Sequence, residues 1–284
     1  MKLALLALVA RCLWTASSAF QMQPLPASST IVIPVSTTRL GVVNIDESAS
    51  RDVGAFDEWA SACGVQRSPG FQLTSQDGME YNAMTGEGIP AQSPVLFVPN
   101  MMVLTSNQAK AEFGRCEDAE KRLVSAKAAD HISHFYLFLK ILKEYEMGEQ
   151  SQWFPWLNSL PRYYSNGASM TPFCFECLPP LVGQLAANER IRYIQFFQAL
   201  NFVDFISEST KSSKELTKWA FAVVHTRCFE TADGDVKLVP MADMVGCKIC
   251  ANLLIFVVYG ILYTYALICT NFIFVLSSSI TERR

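Results

Sequence analysis

The run HISHFYLFLKILKEYEM, residues 131 to 147, is apolar around most of its circumference. That restricts the fold at once. A helix that is greasy on nearly every face is stable only when other helices surround it. Later segments supply the partners. ERIRYIQFFQALNFVDFI places Tyr193, Phe196, Leu200 and Val203 on one stripe at helical spacing. LTKWAFAVVHTRCF reads as a further apolar helix, and the polar break ESTKSSKEL before it offers N-caps. Phe135, Leu139 and Leu142 are expected to pack on Tyr193, Phe196 and Leu200.

Strands flank this helical block. PVLFVP, residues 94 to 99, is a compact apolar run bounded by prolines and reads as a buried strand, and VKLVP as another. GAFDEWASACGVQ gives a short helix anchored by Phe56, Trp59 and Val65. The stretch 148–173 holds three prolines and reads as loop with exposed aromatics. Short strands, a long helical insert and a return to strand make the fold class α+β.

Several constellations have plain readings. Cys174/Cys177 and Cys247/Cys250 are Cys-x-x-Cys pairs, but about 70 residues separate them, against the 15 to 20 of compact zinc sites. Buried free thiols are the better reading. His131 and His134 could share a metal beside Asp130, yet no third ligand is evident, so an ordinary helix-surface pair is expected and no metal site is assigned. Gly86-x-Gly88 lacks the rest of a phosphate-loop fingerprint and reads as a turn joining two strands. A net charge of −3 with mixed signs leaves no footprint for nucleic acid.

Both ends are unusual. MKLALLALVARCLWTASSAF has one Lys, an apolar run and small residues before Phe20, the layout of a signal peptide over 1–19. Residues 20–50 are rich in Ser, Thr and Pro and have no acid before Asp46, like a transit segment. The pair resembles the bipartite presequences of diatom-like algae, in which a Phe follows the cleavage point, and implies a plastid destination. At the other end, about 26 uncharged residues from Ala251 could span a bilayer core of ~30 Å. Residues 251–276 read either as a membrane helix or as a translated intron, with Val245 as the splice-donor position; the intron reading is preferred.

Five ordered segments, FDEWASACGV, PVLFVPNMMVLTS, FYLFLKILKEYEMGEQSQWFPWLNSLP, LTKWAFAVVHTRCF and LVPMADM, resemble the SET-domain protein-lysine methyltransferases of the Rubisco large-subunit methyltransferase type. Glu144, Gly148, Ser151, Trp153 and Leu160-Pro161 reproduce a pattern of that family's helical insert. The resemblance spans 53 to 244, within a partial SET domain at 51–245 whose insert covers about 107–227. It implies methyl transfer from S-adenosylmethionine to a lysine of a protein substrate. It places Met79, Glu80 and Tyr81 at the cofactor and Arg227 and Asp243 at the substrate. The family's usual glycines are Glu80 and Asn82 here, and its Asn-His pair is Gly246 and Cys247. With no counterpart for the pocket tyrosine or the substrate-docking domain in the last 40 residues, the expectation is a truncated, inactive enzyme. The edges of PVLFVP and KLVPM should then be unpaired, with the tail helical and undocked. The alternative is a non-enzymatic, membrane-anchored protein-binding module that keeps the insert.

Overall fold

The computed structural model of the protein describes residues 41–89 and 94–245, and the backbone of 273–276. Residues 1–40 of the presequence and nearly all of the apolar tail, with Cys247/Cys250, therefore lie outside the described residues, whereas 41–50, the end of the transit-like segment, are described and bury Val43.

The chain enters through α1 (Val53–Ala62), where the Asp52 side chain accepts from the Ala55 amide and caps the helix. Phe56 and Ala60 sit on its buried face. Five short strands follow: β1 (Gln66–Arg67), β2 (Phe71–Thr74), β3 (Asn82–Thr85), β4 (Pro94–Val98) and β5 (Leu104–Thr105). The insert then runs through eight helices. These are α2 (Ser106–Phe113), α3 (Glu117–Ser125), α4 (Ile132–Met147), α5 (Phe154–Ser159), α6 (Pro172–Glu176), α7 (Pro180–Leu200), α8 (Glu208–Ser212) and α9 (Lys214–Arg227). The chain returns to strand at β6 (Cys228–Glu230) and β7 (Val236–Leu238), and β8 is Ile273–Leu276. The architecture is the expected α+β.

The insert packs as its pattern demands. Every residue from Phe135 to Leu139 is fully buried, as are Ile141 and Leu142. Phe196 of α7 lies edge-on to Phe135 at 5.3 Å and to Phe221 of α9 at 5.5 Å. Ser207 and Ser213 cap α8 and α9.

The strands correct two expectations. β4 is flanked on both sides, antiparallel by β1 and parallel by β8, and β7 lies between β5 and β6. Neither PVLFVP nor KLVPM is left with open edges, because a sheet edge that bears buried Val95, Leu96 and Val98 is stabilised by any strand that completes its backbone hydrogen bonds. Within the apolar tail, 273–276 is that strand and not helix. No helix among the described residues is long and apolar enough to cross a membrane. Gly86 is a bend that follows β3 and not the turn between β2 and β3, which is 75–81; its amide donates to Gly70 O at 2.9 Å and extends the β2–β3 pairing by one step.

The supposed loop 148–173 is also more ordered than its prolines suggest. Gly148 ends α4 with φ +54, and a Cβ there would meet Gly41 O at 2.6 Å, so glycine alone fits. Ser151 Oγ donates to the buried Glu144 carboxylate and accepts from the Trp153 amide. That corner turns the chain into α5 and buries Trp153 and Trp156, contrary to the expectation of exposed aromatics.

Candidate functional site

All five residues singled out above, Met79, Glu80, Tyr81, Arg227 and Asp243, line one cleft of about 490 Å³. The turn from β2 to β3 supplies Met79 to Tyr81; the end of α9 supplies Thr226 and Arg227; the 3-10 turn Ala242–Met244 supplies Asp243. Tyr163 and Tyr164, from the stretch after α5, add aromatic walls.

Arg227 and Asp243 are paired with each other. Arg227 Nη1 lies 3.0 Å from Asp243 Oδ2 and also donates to the Asp243 carbonyl at 3.1 Å. Trp156 Nε1 donates to the same carboxylate oxygen at 3.0 Å. The Asp243 side chain is 0% exposed, and its second oxygen, Oδ1, is buried without a hydrogen-bond partner. The turn that carries it starts at Met241, a fully buried residue with φ +76. A non-glycine residue in that region is strained and persists only where its surroundings enforce it. Arg227 Nε donates to the Tyr164 hydroxyl at 3.1 Å, leaving the phenolic proton free for another acceptor. Burial opposes the Arg227 charge, but Tyr164 and Asp243 outweigh it and hold the guanidinium more firmly charged than usual. Burial likewise raises Tyr164 against the pull of Arg227, so its phenol stays protonated.

Sequence reasoning missed Arg51. It precedes the α1 cap, is buried, and touches three walls of the site. Its Nε donates to Ser159 O at 2.7 Å, its Nη1 to Met79 O at 2.5 Å, and its guanidinium sits 5.0 Å from the centre of the Tyr81 ring. Burial, and then the charge of Arg227, lower its pKa to about 10. Arg162 is held by the Ser50 and Asn158 carbonyls, and burial lowers it too. The one available signal was an arginine beside a helix cap in a chain with few charges.

Cys174 and Cys177, at α6, are free thiols but not buried ones: Cys174 is half-buried and Cys177 exposed, because this short helix lies at the surface. Among the described residues no three His, Cys, Asp or Glu side chains are arranged to hold a metal ion. The histidine reading needs correction. His131 and His134 are not a plain surface pair, because α9 brings His225 against them.

No family model matches the chain, and no curated protein sequence matches it either. Solved structures do. Rubisco LSMT bound to AdoMet aligns over 69% of this chain and 44% of its own, with a TM-score of 0.51 and 16% identity. The SET domain of LSMT bound to lysine and AdoHcy aligns over the same shares, with a TM-score of 0.52 and 15% identity. Rubisco LSMT bound to sinefungin and monomethyllysine gives 0.52 and 17%, again over 69% and 44%. The chain thus spans less than half the length of the structures it matches. Over 69% of its residues, it has the fold of the SET-domain region of Rubisco LSMT.

Proposed function

We propose that the cleft is the lysine-facing and S-adenosylmethionine-facing part of a SET-type protein-lysine N-methyltransferase site. The observation that carries this reading is the convergence of the Met79–Tyr81 turn with Arg227 and Asp243 in one cleft, on a fold shared with structures that hold AdoMet and lysine.

The chemistry of the walls supports it. Attack on a methyl group requires a neutral amine, so the site must strip a proton from lysine. Burial beside Arg227 lowers Arg51 to about 10, and the same surroundings would disfavour an incoming ammonium. The free phenolic proton of Tyr164 is a donor for a peptide carbonyl. The cleft has the volume usual for small-molecule sites, and S-adenosylmethionine would supply the activated methyl group there. The backbone at Met79 to Tyr81 and the Tyr81 ring are the surfaces for it.

Its grip is weakened at two positions. Gly246 and Cys247 offer neither the amide nor the imidazole that the family resemblance assigns there. Two lost anchors at ~1–3 kcal/mol each lower affinity by roughly 30-fold to 10⁴-fold. We therefore expect the 284-residue chain to bind S-adenosylhomocysteine more weakly than micromolar in a calorimetric titration. The double substitution Gly246→Asn, Cys247→His should tighten it at least about tenfold. Micromolar binding by the native chain would remove the case for a crippled site. No binding by either form, even at millimolar ligand, would remove the methyltransferase reading.

The presequence supports delivery to a plastid. Replacing Phe20 with Ala in a fusion of residues 1–50 to a reporter should leave it outside the organelle, and unchanged import would refute the proposal.

A further inference from the structure

The chain has three histidines, and the fold brings all three together behind the cleft. His131 occupies the position just before α4 without capping it, His134 lies in its first turn, and His225 lies in the last turn of α9. The ring centres are 5.6 Å apart for His131 and His134, 6.2 Å for His131 and His225, and 5.4 Å for His134 and His225. The last two stack nearly parallel, at 12°. His225 also lies 4.1 Å from the Phe221 ring and 5.7 Å from that of Phe196, so one side of the cluster merges with the aromatic core.

This packing suits neutral rings only. His131 Nδ1, His134 Nδ1 and His225 Nε2 are each buried without a hydrogen-bond partner, so a proton there would find no acceptor. The charged groups that face the cluster are Arg192 of α7, Asp130 beside His131 and Glu230 of β6. Arg192 opposes protonation of all three rings, whereas the two acids act on His131 and are themselves exposed. The N-terminus of α4 adds its partial positive charge beside His131 and His134. Burial, the neighbouring rings and Arg192 together lower His134 to about 4 and His225 to about 3.

We infer that the histidine trio is a proton-sensitive latch tying the last turn of α9, and with it Arg227, to the start of α4. It is closed while the rings are neutral and released when acid charges them. His225 stands two residues before Arg227, and Thr226 between them lines the cleft. Release of that turn therefore strains the Arg227–Asp243 pair directly. What the released cleft loses rests on the methyltransferase reading; the latch itself does not.

The sign follows from the lowered values. The released rings take up protons near an ordinary pKa of 6.5 and the packed rings far below it. The latch is therefore at full strength above about pH 6.5 and weakens as pH falls towards about 4. At pH 5.5 release of His134 and of His225 each favours opening by about tenfold.

Hydrogen exchange on the full chain, corrected for intrinsic rates, tests this. Between pH 7.5 and 5.5, protection of 222–230 and 241–245 should fall at least about tenfold, while 135–142 changes less. His134→Phe keeps a ring in place and removes one proton site, so its pH response should shrink by about tenfold. An equal loss across the whole fold, or an undiminished response in the variant, overturns the latch. If the variant does not fold, NMR titration of the three imidazoles in the native chain decides. His134 and His225 should titrate well below 6.5, and ordinary values for both overturn the proposal.

Discussion

The helical insert and the cleft wall are held together by different physics. The insert supplies most of the apolar core: Phe135, Phe138, Phe196 and Phe221 are all fully buried, and the rings they meet come from the same block of helices. The β2–β3 side of the cleft wall has far less, with Phe71 and Leu73 only partly buried against that core. None of the four residues of β2 or of β3 is buried, and the turn between these strands is fixed to the rest of the protein by the Arg51 guanidinium. A dispersed apolar core tolerates small local changes, whereas a wall held by a few directional contacts depends on each of them. The two regions meet at α5 of the insert, where Trp156 donates to Asp243 of the wall and Ser159 O accepts from Arg51.

The largest effect should come from the insert. Phe196→Ala removes a ring that touches Phe135, Phe138, Phe221 and His225. It should cost ~3–5 kcal/mol in urea unfolding and lower protection throughout the helices. A cost below about 1 kcal/mol would mean that the insert is not the stabilising core. Next comes the paired charge. Asp243→Ala strands the buried Arg227 guanidinium and should cost about 3 kcal/mol, with Arg227→Met similar. The double variant should cost less than the sum of the two, because neither charge is then left alone. Strict additivity would show that the pair is not coupled.

A smaller and more local effect is expected from Arg51→Lys. Lysine keeps the charge but cannot reach Ser159 O and Met79 O at once while lying against Tyr81. The loss should be about 1–2 kcal/mol, confined to the wall. Exchange at 79–85 should accelerate while 132–145 stays protected. If both regions respond alike, the contrast between core and wall fails.

These regions also differ in how far the sequence reveals them. Apolar periodicity reports burial, so the stripe through Tyr193, Phe196 and Leu200 could be read directly, and serines in the polar break marked the caps of α8 and α9. Val203 is buried as expected, though it lies beyond the end of α7. The wall is built from contacts between distant residues, which no local pattern encodes. Arg51 meets Ser159 from 108 positions away. His225 joins His131 and His134 only because α9 packs on α4, and so no third partner was visible beside them. The five cleft residues came from family resemblance, and the structure brings them together; their chemical roles remain the proposal made above. Of the tail, only 273–276 lies among the described residues, and there the expected helix is a strand. A long apolar run does not distinguish a spanning helix from a segment that lends four residues to a sheet edge.

The smallest effect tests whether the insert has an electrostatic weak point of its own. Glu120 on α3 is buried, and burial alone would push its pKa up. Hydrogen bonds from Arg115 at 2.9 Å and Tyr136 at 2.8 Å, together with Lys110 at 3.1 Å, outweigh that and leave it below the usual carboxylate range. A carboxylate lowered by folding stabilises the protein fully above its unfolded value, near 4.5, and loses that contribution as pH falls through the folded value. Glu120→Gln should therefore cost stability at pH 7, and the gap from the native chain should narrow below about pH 4.5. Arg115 and Lys110 are 67% and 45% exposed, so solvent screening keeps the effect under about 1 kcal/mol. Urea midpoints of both chains at pH 7, 5, 4 and 3 provide the measurement. The histidine trio titrates in both chains alike between pH 7 and 5, so its contribution cancels in the difference. A gap that widens in acid would place Glu120 among the groups raised by burial, and the insert would then owe nothing to this carboxylate's charge.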